Sequence, residues 1–397
     1  GGGGGGCHGT RSGIGFSGVE RRRSVQIVRM SIHRIDLPLR EGGYSWADQR
    51  HSAFDSTVVI VETDAGVTGA GETCPLGSTY LAAYPEGART GIARLARDLI
   101  GLDPTGTDVI ADAMDRSLKG HPYAKSAIDA ACWDIAGKVA GRPVYDLLGG
   151  ARQDRVRLFK VVSRQDPGLM AERAQQYLAD GYTRLQVKVG EDPDVDVRRL
   201  RRVAAAMTPG AIMDADANCG WRQHDAIRIA GAIDGIAAEH GIGVYLEQPC
   251  PSYEECLAVR RATRLPFVLD ECMDTLPAIL RGWRDGAMDL INLKINRFGG
   301  LTRARLVRDL CLQLGIGMTI EDSWGGEIAT AAIAHLAQST PAAFHFQSSA
   351  FHEYHDVAIA DGAPEVEGGW MRASSRPGLG VEPNMDRLGP PVAVVEA

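Results

Sequence analysis

Five ionisable residues occupy matching places in five successive apolar runs of the chain. Lys188 stands in RLQVKV (184–189), Asp216 closes AIMDAD (211–216), Glu247 stands in GVYLEQ (243–248), Asp270 in FVLDE (267–271) and Lys294 in DLINLKI (289–295). A single lysine near a strand end ordinarily carries its charge out to water on an aliphatic stem, and a single acid there is ordinarily a cap or a surface partner. Repetition in consecutive runs asks for a common cause. Three carboxylates brought to one point repel unless a proton or cation stands among them. An all-oxygen set with room for water and substrate suits Mg²⁺, with Mn²⁺ as the alternative, and no histidine or cysteine takes an equivalent place to favour zinc. A lysine is too basic in water to be an efficient base at neutral pH, but desolvation and a neighbouring cation lower it toward the useful range. Acids that hold a divalent ion, flanked by two lysines, are equipped to remove a proton alpha to a carboxylate.

The elements that must position these groups follow from the rhythm of the sequence. From about Arg155, short apolar runs recur: RLFKVV (157–162), the five above, MTIEDS (318–323) and FHFQSS (344–349), with amphipathic stretches such as LTRARLVRDLCLQLG (301–315) between them. Eight strands separated by helices fit an α/β fold built on a closed β/α barrel, whose catalytic groups sit at the C-terminal ends of different strands. No glycine fingerprint follows the first strand, as a dinucleotide-binding doubly wound sheet would carry. The preceding region, 25–154, reads as α+β: strands at 25–39 and 56–75 around a Gly- and aromatic-bearing loop at 41–56, then helices from Tyr84 to Gly149. The barrel is expected over 155–360, and a Gly/Pro-rich tail, 361–397, is expected to pack back on the first lobe. Residues 1–24, GGGGGG and CHGTRSGIGFSGVERRR among them, have no apolar core or periodicity; they read as a disordered leader or cloning remnant rather than a secretory signal or membrane span.

Charge and cysteine content narrow the partners. The 397 residues carry a formal charge of -7 with no basic stripe in the main body, which argues against nucleic acid. Eight cysteines without a CxxC pair read as small buried thiols of a reducing compartment, hence a cytoplasmic protein with no membrane partner.

The ordered set DADAN (214–218), EQP (247–249), DE (270–271) and the lysine of NLKINRFGG (292–300) resembles the enolase superfamily, in its muconate-lactonizing and mandelate racemase-like group. The resemblance covers nearly everything from Val25 onward. It implies a (β/α)7β barrel under an N-terminal α+β capping domain, a Mg²⁺ ion on Asp216, Glu247 and Asp270, and Lys188 with Lys294 as the acid/base pair. It further implies Asn218, Gln248 and Glu271 as supports of the metal ligands, and a homo-oligomer. One position departs from the family, which often has Lys-x-Lys on the second strand; here Gln186 precedes Lys188, which bears on how the base is tuned.

Within the superfamily, CPLGSTYLAAYPEG (74–87), LKGHPYAKSAIDAACWD (118–134), EQPCPSYEEC (247–256) and EDSWGG (321–326) resemble hydroxyproline betaine epimerases and cis-3-hydroxyproline dehydratases. The expected substrate is therefore a small carboxylate, a cyclic amino acid or its betaine. Epimerisation is the main expectation and dehydration of cis-3-hydroxy-L-proline the alternative. A non-catalytic metabolite-binding barrel is the alternative of a different kind, disfavoured by retention of the three acids and both lysines. Trp324, beside Asp322, could face a substrate cation. Tyr44, Trp46, Phe54 and Tyr80 lie in loops able to close over the barrel mouth and exclude water.

Overall fold

The structure, a computed structural model, describes residues 1–4, 25–40, 43–46 and 49–397; most of the proposed leader and the side chain of Trp46 lie outside the described residues. Eight parallel strands form one sheet in sequence order: Lys160–Val162, Arg184–Lys188, Ile212–Asp216, Gly243–Glu247, Phe267–Leu269, Leu290–Lys294, Gly317–Glu321 and His345–Ser348. A parallel bridge from Leu158 to Ser348 and the bond from Phe159 N–H to the Ser348 carbonyl join the first strand region to the last. Seven helical connections separate the eight strands, so the expected α/β architecture, a (β/α)7β barrel, is the one observed.

Side chains alternate along a strand, so every second residue faces inward. Toward the start of the strands, Arg184, Ile212, Tyr245 and Leu290 share this parity, and a bulge in the last strand lets Phe346 join them next to Gln347, with the Arg184 guanidinium 4.6 Å from the Phe346 ring centre. One step up come Gln186, Asp214, Asn292, Thr319 and Gln347, all buried and polar. The top step carries Lys188, Asp216, Glu247, Lys294 and Glu321. Strand register makes this a true layer: Lys188 pairs with Asp216, Asp216 with Glu247, and Lys294 with Glu321. The opposite parity, Leu185, Val187, Met213, Ala215, Leu246, Ile291, Leu293, Met318 and Ile320, is buried in the main apolar core.

The N-terminal lobe has a four-stranded antiparallel sheet, ordered Ala393–Glu396, Ile27–Pro38, Ala53–Thr63 and Thr68–Thr73. The chain's last strand thus completes the first lobe's sheet. Helix Pro122–Ala140 lies so close on this sheet that a Cβ at Gly71 would collide with the Ala127 carbonyl; glycine is required there. The stretch expected as a loop at 41–56 is more ordered than its composition suggests. Tyr44–Trp46 pairs with Gln49–His51, and the next strand begins at Ala53, because antiparallel pairing satisfies backbone groups that a bare loop would leave open.

Candidate active site

The strand ends bring together the groups the sequence singled out. Lys188 Nζ donates to Asp216 Oδ2 at 2.5 Å. Lys294 Nζ donates to Asp270 Oδ2 at 2.9 Å and to the Tyr80 hydroxyl at 2.7 Å, and stands 3.5 Å from Glu321 Oε1. The lysines sit on the second and sixth of eight strands, and so face one another across the barrel. Both line one small chamber with Tyr44, Tyr80, Asn218, Asp322 and Trp324.

Glu247 is held from two sides by neutral donors, Gln186 Nε2 at 3.1 Å and Asn292 Nδ2 at 2.6 Å. Gln186, the departure from the family pattern, therefore meets the carboxylate with an amide instead of a second ammonium. Asp270 receives Arg297 Nη1 at 2.6 Å. Gln248 Oε1 accepts the Asp270 backbone N–H at 2.9 Å while its Nε2 donates to the Cys250 carbonyl. Asn218 N–H donates to Asp216 Oδ1, and its side chain donates to Glu271 Oε1 at 3.0 Å. Asn218 and Gln248 both adopt positive φ, 42° and 31°, conformations that non-glycine residues hold only where the surroundings compel them.

Sequence reasoning missed four members of this network: Glu321, Asn292, Asp214 and Arg297. Glu321 and Asn292 were within reach of the strand-end rule, the first at the end of the seventh strand and the second one inward step below Lys294. Arg297 lies past its strand, and only the fold shows that it returns to Asp270.

Charge is unbalanced. Six buried or half-buried carboxylates (Asp214, Asp216, Glu247, Asp270, Glu271 and Glu321) meet three cations (Lys188, Lys294 and Arg297). Burial pushes the Glu247 carboxyl well above its usual range, and the nearby Asp216, Asp214 and Asp270 charges push it further. Burial likewise raises Glu271 to about 7, with Asp270 adding to the effect. Burial also works to lower both lysines. The neighbouring carboxylates outweigh it, with Asp216 foremost at Lys188 and Asp270 at Lys294, so both are held as ammonium ions. The donor set and the carboxylate excess fit a hard divalent cation. Among the described residues no three His, Cys, Asp or Glu side chains stand together as an enclosing set, and two of the three acids, Asp216 and Asp270, are paired with Lys188 and Lys294.

The aromatic expectations divide. Tyr44 and Tyr80 line the chamber, whereas Phe54 packs behind it, 4.7 Å from the Trp324 ring centre. Trp324 is 1% exposed, wedged among Tyr44, Phe54, Phe351 and Tyr354, and its Nε1 donates to His355 Nε2 at 2.8 Å. It lines the chamber as part of its wall. Asp322 lines the chamber, but its Oδ1 accepts the Ser323 N–H of its own loop, and burial raises the carboxyl to about 8. Of the cysteines, Cys74, Cys132, Cys250, Cys256 and Cys311 are free and buried, and Cys219 and Cys272 are free and half-buried; Cys7 lies outside the described residues. Among the described residues no helix is long and apolar enough to cross a membrane.

An acid- and lysine-ringed barrel mouth under an α+β cap defines a class of capped-barrel enzymes. Residues 169–387 match the family described as Enolase C-terminal domain-like, and residues 48–149 match the Mandelate racemase / muconate lactonizing enzyme N-terminal domain. The chain belongs to the enolase superfamily, in that group. It is 50% identical over 370 residues to the cis-3-hydroxy-L-proline dehydratase of Roseibium aggregatum, covering 93% of this chain and 99% of the relative. It is 27% identical to the N-succinyl-L-Arg/Lys racemase of Bacillus cereus, over 92% of this chain and 97% of that one. A mandelate racemase/muconate lactonizing enzyme structure from Roseovarius nubinhibens superimposes with a TM-score of 0.90 at 39% identity, covering 94% of this chain and 99% of that one. A superfamily member from the same organism, solved in complex with magnesium, gives 0.87 at 38% identity, covering 94% and 100%.

Proposed function

We propose that the protein dehydrates cis-3-hydroxy-L-proline, with Lys188 and Lys294 as its acid/base pair and Asp216, Glu247 and Asp270 holding Mg²⁺, or Mn²⁺ in its place. The observation that carries the reading is the 50% identity to a named dehydratase over nearly the whole of both chains, and the placement of the two lysines on opposite sides of one small chamber suits the chemistry. In this substrate the hydroxyl is cis to the carboxylate, so the alpha hydrogen lies on the face opposite the hydroxyl. One lysine takes that hydrogen from its side of the ring. The other gives its proton to the departing hydroxyl on the far side, and water leaves. The bond electrons released at the alpha carbon form the ring double bond, and the enamine product tautomerises to the ring imine.

A bound divalent cation would offset the excess carboxylate charge, freeing burial to bring a lysine toward neutrality, and would stabilise the extra charge that proton loss places on the substrate carboxylate. The chain's own groups do the rest. Gln186 and Asn292 hold Glu247, and Arg297 and Gln248 hold Asp270, which anchors both acids at their strand ends. Tyr44, Trp324 and Phe351 wall off water.

Two lysines facing a carbon from both sides also suit epimerisation of a proline-type acid or betaine. The 50% identity to a named dehydratase, with almost the whole of both chains covered, favours elimination. Proton NMR in D₂O with Mg²⁺ separates the two. Consumption of cis-3-hydroxy-L-proline with appearance of the ring imine is the expected result. Alpha deuteration with inversion and an intact hydroxyl, on this substrate or on 4-hydroxyproline betaine, would replace the reading with epimerisation.

A further inference from the structure

The two lysines of the chamber are held differently. Lys188 Nζ donates to Asp216 Oδ2 at 2.5 Å, and among the described residues that is its one hydrogen bond. Lys294 also meets a group from the cap. Its Nζ donates to the Tyr80 hydroxyl at 2.7 Å and to Asp270 Oδ2 at 2.9 Å, and that hydroxyl donates to the same Asp270 oxygen at 3.1 Å. The three atoms close a triangle in which each proton has an acceptor. Glu321 Oε1, 3.5 Å from Nζ, can draw the remaining ammonium proton.

An ammonium on a four-carbon stem is hard to aim, because every bond of the stem rotates. Tyr80 brings the opposite property, a flat ring with two side-chain torsions and a hydroxyl at its tip. The residue lies between strand Thr68–Thr73 and helix Pro85–Leu99, in a turn closed by the Tyr80 and Leu81 N–H groups on the Gly77 carbonyl. Gly77 has φ 107°, with nothing within 4 Å of where a Cβ would stand, so the turn needs glycine for its backbone rather than for space. From this turn Leu76 and Tyr80 reach the chamber wall, and the Tyr80 ring centre lies 5.1 Å from Lys294 Nζ. Aim matters here, since a reacting group misplaced by about 1 Å can lose on the order of 10²-fold in rate.

We propose that Tyr80 is a positioning residue: its hydroxyl fixes Lys294 Nζ on one face of the chamber, so that the cap aims one half of the acid/base pair while the barrel alone aims Lys188. The acid/base role of Lys294 rests on the proposed function; the hold on its ammonium rests on the geometry alone.

Tyr80→Phe keeps the ring and removes the hydroxyl. Lysine occurs at six positions in the chain, so the ammonium ¹H–¹⁵N signals of the metal-free, full-length protein can be assigned with Lys188→Met and Lys294→Met. In Tyr80→Phe the Lys294 signal is expected to shift or broaden and the Lys188 signal to stay. In the Mg²⁺-loaded enzyme, kcat for cis-3-hydroxy-L-proline is expected to fall about 10- to 100-fold with KM within about twofold. Alpha-hydrogen exchange of L- and D-proline in D₂O separates aim from packing, because each enantiomer presents its hydrogen to one face. Only the enantiomer whose exchange Lys294→Met abolishes should slow, by about tenfold. Leu76→Ala, which loosens the same loop without removing a side-chain hydrogen bond, controls for disturbed folding; it is expected to leave the Lys294 signal in place. An unmoved Lys294 signal in Tyr80→Phe, the same shift in Leu76→Ala, or equal slowing of both enantiomers would overturn the proposal. A Lys294 signal that moves as expected, in a protein inactive toward every substrate offered, would sink the proposed reaction and leave the hold of Tyr80 on Lys294 standing.

Discussion

At the scale of single residues, Gln248 shows how much of the site lies in side chains that never touch substrate. Its backbone sits at φ 31°, and its amide spans two strands, receiving the Asp270 N–H and the Cys272 thiol on one side and donating to the Cys250 carbonyl and Cys256 sulfur on the other. Gln248→Ala removes the support of Asp270 without removing a carboxylate. It should lower Mn²⁺ affinity 10- to 100-fold, read by electron paramagnetic resonance of free Mn²⁺, as is usual when a ligand's hydrogen-bonded support is lost. Lys188→Met and Lys294→Met should each cost about 10²–10⁴ in kcat while leaving metal affinity within a few-fold, because acid/base transfer is lost and the acids remain. Gln186→Lys restores the pattern common in the family and sets a second ammonium beside Lys188. A like charge lowers a lysine's pKa, so the acidic limb of the kcat profile should move to lower pH, by about one unit. An unmoved limb would remove Lys188 from the role of base.

The elements are joined by buried acids that cap one lobe from the other. Glu72, from strand Thr68–Thr73, accepts the Gly326 and Ala329 N–H groups at 2.8 and 2.9 Å, which caps helix Glu327–Gln338 of the barrel from outside its own chain segment. Ser56 donates to the same carboxyl at 2.7 Å. The loop so held carries Asp322 and Trp324. Glu72→Gln leaves only one acceptor oxygen for two helix N–H groups. A loss of roughly 1–3 kcal/mol in denaturant unfolding is expected, with a rise in KM as the Trp324 wall loosens. Stability unchanged from the parent would show that the contact contributes nothing net. Asp129, in helix Pro122–Ala140, does the same for helix Leu301–Leu314, accepting the Thr302 N–H at 3.0 Å, while Trp133 Nε1 donates to the Thr302 hydroxyl at 2.8 Å.

For the whole molecule, these inter-lobe acids make stability depend on pH in an unusual direction. Burial raises Glu72 from 4.5 to about 7 and Asp129 from 3.8 to about 7, against the hydrogen bonds that favour their charged forms. A carboxyl with a raised folded-state pKa binds its proton more tightly when folded. Its contribution is therefore full below the unfolded value and is lost as pH climbs to about 7. Buried His335 and His345, lowered by desolvation to about 4 and about 3, act oppositely, but only below about 6.5. A comparison with Asp129→Asn isolates the acid. The variant should gain on the parent by on the order of 2–4 kcal/mol between pH 5 and pH 8 in urea unfolding, with a constant difference as the contrary result.

Much of the site was legible in the sequence because a strand's side chains repeat every second residue and a barrel gathers its strand ends on one face. Those two regularities placed Lys188, Asp216, Glu247, Asp270 and Lys294 on one ring before any coordinate was known, and applied once more they would have included Glu321. The sequence by itself thus determined the ring of charge and the class of fold that presents it. Trp324 was less legible: its type suggested a cation's partner, and the packing that orients it depends on Tyr44, Phe54, Tyr354 and His355, residues up to 280 positions away in the chain. The same holds for Arg297, whose return to Asp270 and buried, unpaired Nε and Nη2 leave no local pattern. Periodicity along a strand is a short-range property written in the chain, whereas which side chains meet across a closed barrel, and which donor is left without an acceptor, is decided only when distant segments pack.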